Sequence, residues 1–199
     1  MGFFGILTVT SCGKPGDFTV SKAMKAYQAQ DYEKSLELFN QALTEELSYS
    51  KESVYTMISN VYLAEQDLEN AIVFQEKALE LKEDYRTYVT LGMNYHLLKN
   101  DEKAEEAYKK ALKMNPEKAE ALVSLGSLYL GMQKYDEAVN FLLKSIEKEP
   151  RIAIAHANLA VAYAYTGENQ KALDELKIAE ELKCENIEEF KERVQSISE

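Results

Sequence analysis

Apolar residues return along this chain at intervals of three and four, as in Leu36, Phe39 and Leu43, and again in Leu122, Leu125 and Tyr129. That spacing gathers them on one face of an α-helix and predicts helices rather than strands. The turn residues agree. Gly2, Gly5, Gly13 and Gly16 are half of the 8 glycines, and Pro15 sits beside them. The rest of the chain holds only Gly92, Gly126, Gly131, Gly167, Pro116 and Pro150, too few breakers for the turns of a β-protein.

A longer period lies over the helical one. Ser35, Ala71, Ala104, Ala138 and Ala172 are separated by 36, 33, 34 and 34 residues, and Ala42, Ala78, Ala111, Ser145 and Ala179 keep the same steps. Tyr62, Tyr95, Tyr129 and Tyr163 follow at 33, 34 and 34, and Pro116 and Pro150 are again 34 apart. In an all-helical chain this period means stacked helix–turn–helix units. The small residues mark where two helices cross closely.

The unit TYVTLGMNYHLLKNDEKAEEAYKKALKMNP, residues 87–116, resembles the tetratricopeptide repeat family through Leu91-Gly92, Tyr95, Ala104, Tyr108, Ala111 and Pro116. The next unit repeats Leu125-Gly126, Tyr129, Ala138 and Pro150. Five repeats are placed at 16–51, 52–84, 85–118, 119–152 and 153–186. The first carries Lys22-Ala23 and the second Ile58-Ser59 where the family has Leu-Gly. Thr19, Tyr55, Tyr88, Leu122 and His156 stand in the slot of the family's tryptophan. The resemblance implies an all-α, right-handed superhelical solenoid of five such repeats.

Asp31, Asp67 and Asn100 stand where a short side-chain acceptor caps the second helix of its repeat. Beyond the repeats, residues 187–199 carry Ile187, Phe190, Val194 and Ile197 on one stripe of a charged helix, which is read as a cap closing the last repeat.

Charge and composition exclude several functions. With 23 Lys+Arg against 34 Asp+Glu the net charge is −11, which repels nucleic-acid phosphates. No run approaches the roughly 20 apolar residues of a membrane-spanning helix. The 2 histidines, His96 and His156, share no metal-ligand spacing with each other or with Cys184, and there is no phosphate-binding glycine loop. His156 is read as a packed core residue and Cys184 as a small apolar filler. Neither a cofactor, a metal nor catalysis is expected.

The resemblance implies instead a concave groove lined by the first helices, taking a protein or peptide segment. Its slots fall on Met24, then Thr56 and Asn60, then Arg86, Val89, Met93 and His96, then Val123 and Ser127, and last Val161. Val20, Met24, Val89 and Met93 stand where the family's co-chaperones need basic or amide groups, so their carboxylate clamp is absent.

The amino terminus, residues 1–15, reads as a signal remnant and tether. Val9-Thr10-Ser11-Cys12 resembles a bacterial lipobox with Cys12 as the lipidated residue, followed by Gly13-Lys14-Pro15-Gly16 as the tether. No basic residue precedes Cys12, which departs from a secretory signal. The expectation is a lipid-anchored scaffold of a bacterial envelope. The alternative is a cytosolic chaperone or adaptor holding an amphipathic client segment.

Overall fold

The computed structural model describes residues 13–198, and Cys12 lies outside them. The chain divides into two compact units, the first running to Lys82 and the second from Glu83. Unit 1 holds α1 (Pro15–Gln28), α2 (Tyr32–Ala42), α3 (Lys51–Ala64) and α4 (Leu68–Leu81). Unit 2 holds α5 (Tyr85–Leu97), α6 (Asp101–Met114), α7 (Ala119–Gly131), α8 (Tyr135–Lys148), α9 (Ala153–Tyr165), α10 (Asn169–Glu181) and α11 (Ile187–Ser198). The described residues form helices and no strands. Each repeat contributes one packed helix pair: α1 on α2 and α3 on α4 in unit 1, and α5 on α6, α7 on α8 and α9 on α10 in unit 2. The fold is an all-helical solenoid of stacked pairs.

Close crossing explains the small residues. Ser35, Ala71, Ala104, Ala138 and Ala172 are all completely buried. Where the slot is polar it satisfies itself, since the Ser35 hydroxyl donates to the Ala23 carbonyl of the facing helix at 3.0 Å. A Cβ on Gly92 would stand 2.7 Å from the Tyr108 ring, and one on Gly126 would stand 2.7 Å from Leu142 Cγ. Leu-Gly therefore serves as a socket for a bulky residue of the second helix.

One turn recurs in all five pairs. Gln30, Gln66, Lys99, Gln133 and Gly167 have φ of 61°, 61°, 61°, 61° and 81°. The next residue sends its N–H back five positions, as Asp31 does to Ala26 and Asn100 to Tyr95, at 2.9 and 2.8 Å. This closes the carbonyls of the first helix. The same residue then starts the second helix: the carboxylates of Asp31 and Asp67 and the amide oxygen of Asn100 accept N–H groups three residues on, at 3.2, 3.0 and 3.2 Å. Lys134 and Glu168 hold that position without a side-chain cap.

Gly167 isolates the cost of the turn. An added Cβ meets nothing within 4 Å, so Gly167→Ala introduces backbone strain alone. Thermal unfolding should show a loss of about 1 kcal/mol. Glutamine and lysine already hold the equivalent positions, so a loss several times larger would contradict the turn assignment.

The amino-terminal tether is corrected by one residue pair. Pro15 and Gly16 lie inside α1, and Gly16 is buried, its N–H donating to the Glu46 carbonyl at 3.0 Å. A Cβ there would stand 2.6 Å from Leu47. Gly16 thus serves the close approach of a loop, where tether freedom had been expected.

Candidate protein-interaction surface

The first helices present the candidate surface, and within unit 1 its slots converge. Met24 and Tyr27 of α1, Met57, Asn60, Leu63 and Ala64 of α3, and Phe39 of α2 line a cavity of about 380 Å³. Phe39 is completely buried beneath it, in a cluster with Val20, Ala23, Val54, Ile58 and Val61. The wall is apolar, with the exposed amide of Asn60 as its polar member. Such a wall suits an apolar side chain with one hydrogen-bonding direction beside it. Thr56 lies half-buried on α3 and donates its hydroxyl to the Glu52 carbonyl at 2.9 Å, so it contributes little polarity outward.

In unit 2 the slots separate into open and closed. Arg86 is exposed and Met93 is 48% exposed on α5, with Leu97 at 56%. His96 is half-buried, its Nδ1 2.7 Å from Asp101 Oδ1. Ser127 turns toward the next repeat, where its Oγ accepts from Asn158 Nδ2 at 2.7 Å. Val89 and Val123 are 8% and 9% exposed, so each offers a ligand only an edge.

Val161 is corrected outright. It is completely buried, as are Ala157 and Leu159 along α9. The physical reason is α11, which packs on α9 and sets Ile187 and Phe190 against the Ala157 cluster. The Arg193 guanidinium lies 5.7 Å over the Tyr165 ring, and Tyr165 stacks on Tyr135 at 4.1 Å. α11 also closes the end of the solenoid less completely than its stripe predicts. A cleft of about 500 Å³ remains between α10 and α11, lined by Leu173, Leu176 and Val194.

Repeat-to-repeat contacts hold these faces in place. The Tyr129 hydroxyl donates to Glu105 Oε1 at 2.9 Å, and Lys109 and Lys134 flank the same carboxylate. The Lys109 hydrogen bond, ahead of that from Tyr129, keeps Glu105 below the usual carboxylate range. His156 is 4% exposed, with Nδ1 2.6 Å from Glu175 Oε2 and Nε2 donating to the Pro150 carbonyl at 3.0 Å. Both ring nitrogens are thereby engaged in structure. Cys184 packs with Ala157 and Ala179, and burial pushes its thiol above its ordinary value. Among the described residues no group of three His, Cys, Asp or Glu side chains could hold a metal ion. No described helix is long and apolar enough to cross a membrane.

Residues 29–183 match the sequence profile of the cilia and flagella-associated protein 70 middle TPR-like domain. The chain belongs to this TPR-like family. Among curated relatives, a 74-residue stretch is 42% identical to BBSome complex member BBS4 of Bos taurus, covering 37% of this chain and 14% of that protein. A 149-residue stretch is 23% identical to anaphase-promoting complex subunit 3 of Schizosaccharomyces pombe, covering 74% of this chain and 22% of that protein. This TPR-like chain thus spans only 14% and 22% of the lengths of those two relatives. Among solved structures it is similar to YrrB, described as a TPR protein with an unusual peptide-binding site. The TM-score is 0.72 and the identity 25%, over 87% of this chain and 90% of that one. It also shares its fold with MamA at a TM-score of 0.75 and 20% identity, over 84% of this chain and 91% of that one.

The cavity floor of the TPR-like unit 1 was not legible from the groove slots. Phe39 enters the sequence reading only as a member of an apolar helix stripe, and Met57 carries no reading there.

Proposed function

We propose that this chain is a non-catalytic scaffold that holds an apolar-anchored segment of a partner protein on its first-helix face. The observation that carries the reading is the unit 1 cavity, where Met24, Tyr27, Leu63 and the free-standing amide of Asn60 meet around about 380 Å³. Two methionines in the wall suit adaptable packing against varied side chains. The comparisons support the class of job: two relatives are named as members of multi-protein complexes, and one structural neighbour is described as peptide-binding.

Peptides selected from a random library on the intact chain provide the test. Leu63→Glu places a carboxylate in the apolar wall and should weaken their binding at least about tenfold. Asn60→Ala, at an exposed position, should weaken it about fivefold through one lost hydrogen bond, with the melting point unchanged. Selected peptides that bind both variants as tightly as the parent would place the contact elsewhere.

A bacterial envelope location is the second part of the proposal, supported by the run Val9-Thr10-Ser11-Cys12. Lipidation of Cys12 would tether the scaffold to a membrane, since two or more acyl chains anchor stably where one is marginal. Cys12→Ala should then move the protein from the membrane fraction to the aqueous one. A parent protein already aqueous, with Met1 retained by mass spectrometry, would leave the cytosolic adaptor reading in its place.

A further inference from the structure

Within unit 2, one face of each second helix receives the first helix of the next repeat. On α6 this face carries Glu105, which takes the Tyr129 hydroxyl of α7 at 2.9 Å. The equivalent residue of α10, 68 positions on, is Leu173, and it is 55% exposed. α11 starts 34 residues after α9 but packs more extensively on α9 than on α10. The receiving face of α10 is therefore left as one wall of the cleft of about 500 Å³, with Leu173, Leu176 and Val194 inside and Lys177, Glu180 and Lys191 at its rim.

The complementary face belongs to α1. It is the first helix among the described residues, and it is built as the first helix of a repeat. Phe18, Lys22 and Lys25 fall at i, i+4 and i+7 along it, all exposed, with Phe18 at 48%. Charge does not select the fit, since Glu180 at the rim is already paired with Lys191 at 2.7 Å. What fits α1 to this cleft is its place as the first helix of a repeat, the kind of helix that α6 and α8 receive on this face.

We propose that α1 of a second copy seats in the α10–α11 cleft, with Phe18 entering beside Leu173. Repeat 1 of one molecule then stacks on repeat 5 of the next, continuing between molecules the packing that α7 makes on α6 and α9 on α8. The two surfaces differ, so the contact is heterologous and head-to-tail, and each added molecule presents a fresh cleft. An apolar anchor inside a charged rim is the arrangement that gives such a contact its affinity.

Sedimentation velocity of the full chain tests this with two variants, Phe18→Glu and Leu173→Glu. Both positions are solvent-exposed, and unchanged circular dichroism and melting confirm that each variant folds. The parent should sediment faster as concentration rises from about 10 µM to about 1 mM. Each variant alone should stay monomeric across that range. Mixed in equal amounts they should form a one-to-one dimer and nothing larger, because Phe18→Glu retains a working cleft and Leu173→Glu retains a working α1. A parent that stays monomeric throughout, a variant that still self-associates, or a mixture without dimer overturns the proposal. A parent dimer that neither substitution affects would assign self-association to another face and overturn it equally.

Discussion

Phe39→Ala is expected to destabilise unit 1 by about 3–5 kcal/mol, the range for deleting a large buried aromatic. Phe39 is completely buried, and Val20, Ala23, Ala42, Val54, Ile58 and Val61 complete its cluster. The surrounding helices cannot collapse far into the gap. They cross at Ser35 and Ala42, which are themselves completely buried, so the backbones are already near closest approach. Repeat stability is a sum of units and neighbouring interfaces, so the loss of hydrogen-exchange protection should concentrate in α1–α4. The cavity above Phe39 should enlarge at the same time, weakening any peptide bound there. Uniform loss of protection across all eleven described helices would show that this cluster is not the centre of its own unit.

Much of this was legible because it is local or periodic. Asp31, Asp67 and Asn100 announce their helices through a cap that needs only the next three residues. The small-residue slots announce crossings, and Gly92 and Gly126 announce sockets, because only a few side chains tolerate such approach. The site was legible as a face and illegible as a surface. Met93 and Val161 occupy the same slot two repeats apart, yet one is 48% exposed and the other completely buried. A slot fixes the direction of a side chain, whereas its exposure depends on what the next helix does. The lean of α11 onto α9 is a tertiary outcome that no period encodes. Gly16 was misjudged for a related reason. Glycine beside proline reads as freedom, and only the passing Glu46–Leu47 loop shows that the missing Cβ is used for contact.

Two glycine-to-alanine substitutions should move stability in opposite directions, and the contrast tests the sockets. Helix propensity alone favours alanine by about 1 kcal/mol at both positions. At Gly131, the last residue of α7, the nearest atom to an added Cβ is His96 Cε1 at 3.8 Å, an ordinary contact, so the propensity gain should survive. At Gly92 the Cβ would meet three atoms of the Tyr108 ring at 2.7–2.9 Å. Tyr108 is 4% exposed, so the ring has no solvent-side space to retreat into, and the same burial raises the pKa of its hydroxyl to about 12. Overpacking of this kind costs about 1–3 kcal/mol, which outweighs the propensity gain. Gly92→Ala should therefore lower the melting point while Gly131→Ala raises it slightly. Tyr108→Leu added to Gly92→Ala should recover part of the loss, with a coupling of about 1 kcal/mol, because repeat 5 already holds Ala160 and Leu176 in the same two slots. If Gly92→Ala stabilises as Gly131→Ala does, the ring yields freely and Leu-Gly is a propensity signature with no socket behind it.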